Sequence, residues 1–183
     1  MRLSSFMRIS IYKSGLILVI LVHLSTAYAQ EKAPTFYLPT LEGDDFFASE
    51  LYGEQAKEPK ISVISFCASW CAPCQKEIRA LDSLSIIFPE IGFYLIDYKE
   101  KKEVVQKWKN RLQTNIPILL DIYGLTAKKF GMAQSGESGN ITVKLPTLFV
   151  MNKRGEIIYT HSGYEDKFAK TLKELLKAQR NLE

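Results

Sequence analysis

Cysteine is scarce in this chain and confined to one place. The 183 residues hold three cysteines, Cys67, Cys71 and Cys74, with none before residue 67 or after residue 74. A domain stapled by disulfides spreads more cysteines along its length, so a structural disulfide framework is excluded. Histidine is scarcer still, with only His23 and His161. An excess of one charge sign is missing as well. Residues 1–29 carry Arg2, Arg8 and Lys13 and no acid. Without these three of the 24 basic residues, 21 basic side chains face 20 acidic ones. A nearly neutral domain has no electrostatic footprint for nucleic acid, and that partner is excluded. Internal repeats and long low-complexity tracts are absent. The one long apolar stretch, Leu16 to Val22, falls short of the roughly 20 residues of a membrane span.

What is there begins with that stretch. A basic start, the apolar run and the small-residue pattern Ala27-Tyr28-Ala29 have the anatomy of a secretory signal peptide cleaved after Ala29. The alternative is an uncleaved N-terminal anchor, against which the short run and His23 both speak. No cysteine follows the run, so lipid anchoring is not supported. The expectation is a signal peptide over 1–29 and one domain over 30–183. The protein is then exported to an oxidising compartment, a bacterial periplasm.

Periodicity supplies the elements. The segment APTFYLPTLEGDDFFASELYGE, with turn signals at Glu42-Gly43-Asp44, reads as an N-terminal β-hairpin. KISVISF and IGFYLIDY are β-branched, mostly apolar runs suited to buried strands. Between them Ile78, Leu81, Leu84 and Ile87/Phe88 recur at helical spacing, and Pro89 ends the helix. EKKEVVQKWKNRLQ is amphipathic, with Val104, Val105, Trp108 and Leu112 on the inner side. IPILLD is a third strand, and YGLTAKKFG a short helix closed by Gly131. PTLFVMN and EIIYTHSG form an antiparallel pair about Lys153-Arg154-Gly155. YEDKFAKTLKELLKAQRN is a final helix with Phe168, Leu172, Leu175 and Leu176 inward. The order β-α-β-α-β-α-β-β-α implies an α/β domain with a central mixed sheet flanked by helices.

The cysteines stand at the first strand-to-helix junction. A thiol attacks a disulfide as thiolate, and a helix N-terminus stabilises that anion. Cys71 is therefore expected to be the exposed nucleophile. Cys74, a turn further in, is the buried resolving thiol that releases a mixed disulfide. Trp70 offers the nucleophile a flat apolar contact, and Pro73 stiffens the loop at a position that the first helical turn tolerates.

ASWCAPC resembles the active site of thioredoxin-fold oxidoreductases. The wider set APTFYLPTLEG, WCAPCQKE, LPTLFVMNKRGEII and HSGY is similar to the exported TlpA/ResA-like branch, related to the AhpC/TSA redoxins. The resemblance runs from about Ala33 to the C-terminus. It implies a thioredoxin-like fold, thiol-disulfide exchange through a Cys71/Cys74 redox disulfide, and no cofactor or resident metal. It also implies a cis proline at Pro146, facing the pair, and pairing of the Leu145 backbone with a bound substrate strand. The partners it implies are protein disulfides or dithiols and a membrane electron donor. It favours a reductant, with cytochrome c maturation or disulfide repair as roles, although the residues themselves do not fix the direction.

Three departures from the family pattern stand out. Ser65 occupies the place of thioredoxin's buried acid, leaving Glu77, Asp97 and Glu137 as unranked candidate bases. Arg79 replaces a helix-kinking proline. The polar loop 133–144 is long, and reads either as a shaper of partner choice or as a surface insertion. Cys67 replaces an aromatic residue, either as a small core residue or as a third redox thiol. His161 is expected to face solvent, and Glu100 to Glu103 to form a solvated helix face. Asn140-Ile141-Thr142 matches a glycosylation acceptor, relevant only in a eukaryotic host. Two other functions compete. A copper carrier would use Cys71, Cys74 and His161. A thiol peroxidase would need a threonine where Ala68 stands.

Overall fold

The computed structural model describes residues 30–132, 134–135 and 141–182. The expected leader, Glu137 and Asn140 lie outside the described residues. Two short strands, β1 (Tyr37–Pro39) and β2 (Asp45–Phe47), pair antiparallel as the expected hairpin. Its turn passes through Gly43 at φ 107°, and Thr40 Oγ1 accepts the N–H groups of Gly43 and Asp44. Such a φ suits glycine because no Cβ clashes there.

The six residues of β3 (Ser62–Cys67) are all buried, as a run apolar on both faces requires. Helix α1 (Ala72–Ile87) follows and buries Cys74, Glu77, Ile78, Leu81 and Leu84. Then come β4 (Gly92–Tyr98), α2 (Lys102–Leu112), β5 (Ile118–Asp121) and the short α3 (Leu125–Lys129). The 133–144 region contributes β6 (Gln134–Ser135) and β7 (Ile141–Thr142), which pair with each other. The chain closes with β8 (Thr147–Met151), β9 (Ile157–Ser162) and α4 (Phe168–Asn181). These elements fall within the unit Lys32–Glu183.

The central sheet runs β5-β4-β3-β8-β9. Strands β3, β4 and β5 are parallel, while β8 is antiparallel to β3 and β9 to β8. Three parallel strands in a row bring their carboxyl ends to one edge, where an α/β sheet usually holds its chemistry. This is the expected mixed α/β, thioredoxin-like architecture. Helices α1, α2 and α4 cover one face through Ile78, Leu81, Val105, Trp108, Phe168, Leu172 and Leu176. The hairpin and α3 cover the other through Phe36, Leu38, Ala127 and Phe130.

Two details differ from expectation. Val105 is buried but Val104 is exposed, because a helix of 3.6 residues per turn cannot bury both neighbours on a narrow stripe. Helix α4 begins at Phe168, so Tyr164 to Lys167 belong to the connection and Leu175 is only partly buried.

Candidate active site

Cys71 is the N-cap of α1. Its backbone is extended (φ −85°, ψ 95°), and its Sγ accepts the Cys74 N–H at 3.3 Å. Pro73 sits in the first turn, where its missing N–H leaves no gap in the helical ladder. Cys71 and Cys74 are joined as a disulfide with Cα atoms 5.3 Å apart. The Cys74 N–H is the first-turn donor on Cys71 Sγ, the place where a thiolate appears once the bond is reduced, and the positive end of the helix dipole lies there too.

The expected exposure of Cys71 is corrected. Cys71 is 4% exposed and Cys74 fully buried, so the order holds but the nucleophile candidate is nearly covered in the disulfide form. The exposed surface here is Trp70, 66% accessible, together with Ala72 and Pro73. The Leu145–Pro146 bond is cis, as expected, and Pro146 O accepts the Gly163 N–H at 2.8 Å. Thr147 pairs with Phe66 across β8 and β3. One register step further sets Pro146 opposite Cys67, at the sheet edge that bears the cysteine pair. Leu145 is partly buried and packs on both apolar clusters.

Beneath α1 lies a polar cluster. Ser65, in the place of thioredoxin's acid, donates its hydroxyl to Glu77 Oε1 at 2.5 Å. The other Glu77 oxygen has no partner, and the residue is fully buried. Burial pushes the Glu77 carboxyl up to about 7, with the Ser65 hydrogen bond acting in the opposite direction. Glu77 follows Cys74 by three residues and so shares its helix face. Asp97, on β4, is 1% exposed and pairs in register with Cys67. Neither of its oxygens receives a hydrogen bond of normal geometry. Burial raises its carboxyl to about 8, the Glu100 carboxyl adds to this, and the Glu100 main-chain N–H offsets a little of it.

Cys67 is a free, fully buried thiol whose Sγ lies 3.7 Å from Ile96 O. Burial first, and then the charges of Asp97, Glu77 and Glu100, hold it well above the usual thiol range. That keeps it protonated and favours its reading as a core residue over a third exchanging thiol.

Glu100 departs furthest from expectation. It is not part of a solvated helix face. From the connection between β4 and α2, its Oε2 accepts the Ser69 N–H at 2.5 Å and its Oε1 the Ser69 hydroxyl at 2.6 Å. No local pattern announces this contact, since the partners lie 31 residues apart.

The AhpC/TSA family model matches residues 29–160. The chain belongs to the AhpC/TSA family. Sporulation thiol-disulfide oxidoreductase A of Bacillus subtilis is 27% identical over 146 residues, 75% of this chain and 78% of that protein. The thiol-disulfide oxidoreductase ResA of Halalkalibacterium halodurans is 27% identical over 158 residues, 85% of this chain and 81% of its own. Among solved structures, StoA from Bacillus subtilis has a TM-score of 0.60 at 25% identity, covering 79% of this chain and 97% of that one. A thiol:disulfide interchange protein from Chlorobium tepidum, with a TM-score of 0.67 and 20% identity over 84% of this chain and 99% of its own, shares the fold.

This AhpC/TSA protein is thus an oxidoreductase of the thiol-disulfide type. Its Ala68, three residues before Cys71, is fully buried and brings no hydroxyl to the site. Arg79 is exposed on an uninterrupted α1. His161 does not face solvent as expected. Its ring lies 5.1 Å from that of Phe168, and its Nε2 is buried without a partner. Among the described residues, no group of three or more His, Cys, Asp or Glu side chains is arranged to hold a metal ion. None of their helices is long and apolar enough to cross a membrane.

Proposed function

We propose that this protein reduces disulfides in exported proteins. Cys71 acts as nucleophile and Cys74 as resolving thiol. The observation that carries the reading is a cysteine pair at a helix N-terminus, with the Cys74 N–H on Cys71 Sγ.

The Cys71 thiolate attacks a substrate disulfide, forming a mixed disulfide and releasing one substrate thiolate. Cys74 then gives its proton to the Glu77 carboxylate and attacks Cys71 Sγ. The second substrate thiolate leaves, and the Cys71–Cys74 disulfide remains. Glu77 is preferred over Asp97 as the base because it shares the helix face of Cys74 and is held by Ser65. A carboxyl poised near 7 can both accept and return a proton at neutral pH. Trp70 and Pro73 form the exposed contact surface for the substrate. The cis Leu145–Pro146 segment, at the same sheet edge, pairs with the substrate backbone.

The domain at 30–183 works in a periplasm after cleavage of the leader at 1–29. A membrane electron donor re-reduces it, and the candidate roles are cytochrome c maturation or repair of wrong disulfides. The test is a redox titration of the Cys71/Cys74 pair in dithiothreitol or glutathione buffers. A potential near thioredoxin's, about −270 mV, supports a reductant. One near DsbA's, about −120 mV, would sink the reading. As a second test, Cys74→Ser should trap mixed disulfides through Cys71. If Cys71→Ser traps the same partners, the nucleophile is misassigned.

A further inference from the structure

The turn that delivers Cys71 is held from outside its own sequence. Its local hydrogen bond is Cys71 N–H to Ala68 O at 3.1 Å. Ser69, inside the turn, gives both its N–H and its hydroxyl to the two oxygens of Glu100. Paired bonds to a carboxylate are strong and directional. Behind Glu100 stands Asp97, 99% buried, with no donor of normal geometry on either oxygen. Glu100 faces it with its carboxyl, another acceptor, and with its main-chain N–H, whose effect is the smaller. Two acceptors repel unless a proton lies between them, and Asp97 is the more buried of the two carboxyls. A buried polar group without a partner is costly, so the proton belongs on Asp97, where it becomes a hydrogen bond to Glu100.

We propose that Glu100 is a positioning residue for thiol-disulfide exchange. Steadied by a proton on Asp97, it clamps Ser69 and so fixes the Ser69-Trp70-Cys71 turn in the geometry from which Cys71 attacks. The proposal rests on the assignment of Cys71 as nucleophile. Loss of the Asp97 proton removes the hydrogen bond to Glu100, loosens the clamp and slows Cys71. The titratable groups bearing on Asp97 are Glu100 on its own connection and Asp121 at the end of β5. Across the β3 register it faces Cys67, on which Glu77 of α1 also bears.

The test uses the Cys74→Ser protein, in which the Cys71 thiolate attacks dithiobisnitrobenzoate. It forms one mixed disulfide and releases one coloured nitrothiobenzoate. The rate constant is followed from about pH 6 to about pH 10 and corrected for the thiolate fraction of Cys71. The corrected rate of the parent protein should fall on the alkaline side as Asp97 ionises. Glu100→Ala should lower the plateau about tenfold, the scale expected when a reacting group loses its orientation. Glu100→Gln still offers an oxygen to Ser69 and gives Asp97 an N–H donor, so it should keep the plateau within about twofold and lose the alkaline fall. Ser69→Ala, which keeps the main-chain donor, should fall between these two. Circular dichroism checks that each variant is folded.

A Glu100→Ala protein with the parent rate and pH profile overturns the proposal. So does a Glu100→Gln protein that retains the alkaline fall. A failed nucleophile assignment looks different, because Cys74→Ser is then inert while Cys71→Ser reacts. That result would defeat both readings together.

Discussion

On the hairpin side of the sheet, Phe66, Phe130 and Phe149 meet ring to ring, with centroids 4.8 to 6.0 Å apart. On the helical side of the same strand, Ser65 and Cys67 look out on Glu77 and Asp97. Both regions are buried, and they answer to different demands. Aromatic burial follows the hydrophobic effect and the preference of rings for edge contacts. Buried carboxyls with open oxygens run against it, since each is desolvated without full compensation. The two carboxyls that carry that penalty both lie about β3, Glu77 on the Ser65 hydroxyl and Asp97 in register with Cys67. On β3 the hairpin face presents Ile64 and Phe66 to an aromatic cluster, while the helical face sets Ser65 beside Val63 within the apolar core under the helices.

Three substitutions or sets of substitutions separate the two faces. The largest expected effect on stability is from Phe66→Ala, which should cost about 3–5 kcal/mol in urea denaturation. It should leave the redox potential of the cysteine pair unchanged. A large shift in that potential would mean that the two faces are not separable.

The next effect depends on pH. The folded protein holds protons on Glu77 and Asp97 that the unfolded chain has already released. Stability therefore falls as pH rises, from 4.5 to about 7 for Glu77 and from 3.8 to about 8 for Asp97. Glu77→Gln and Asp97→Asn should each flatten the profile in their own window. Glu77→Gln should be more stable than the parent by about 1–3 kcal/mol at alkaline pH, while its turnover with a protein disulfide drops. Equal pH slopes in parent and variants, read from denaturation midpoints, would show that these carboxyls are not buried with their protons. The smallest effect is on α1 itself. Ile86 is 80% exposed, and Ile86→Ser should change stability by no more than about 0.5 kcal/mol.

Much of this was legible in the sequence, and the reasons differ by scale. Alternation and helical spacing are local, so β3, β4, β5, the β8–β9 pair and α1 fall where KISVISF, IGFYLIDY, IPILLD, PTLFVMN and the Ile78-Leu81-Leu84 series put them. WCAPC is local too, and its start at a helix N-cap follows from position alone. What could not be read depends on contacts across the fold. Ser65 and Glu77 meet because a strand and the helix after it are antiparallel in space. Ser69 and Glu100 meet because the parallel β3 and β4 end at one edge. An acidic residue after a strand looks the same whether it is solvated or clamped. The cover over Cys71 and the burial of His161 Nε2 are likewise set by neighbours that periodicity does not name.

The way the chain enters its domain has a practical consequence. Ala33 N–H bonds to Gly155 O at 2.8 Å, and Lys32 bridges to Glu156, at the turn between β8 and β9. In register, that turn stands at the Ser62 end of β3, while the disulfide stands beyond Cys67. Six strand residues, roughly 20 Å, separate the two poles. A bead, a dye or a fusion partner joined just ahead of Lys32 is therefore held by the handle of the molecule, and its working end stays clear.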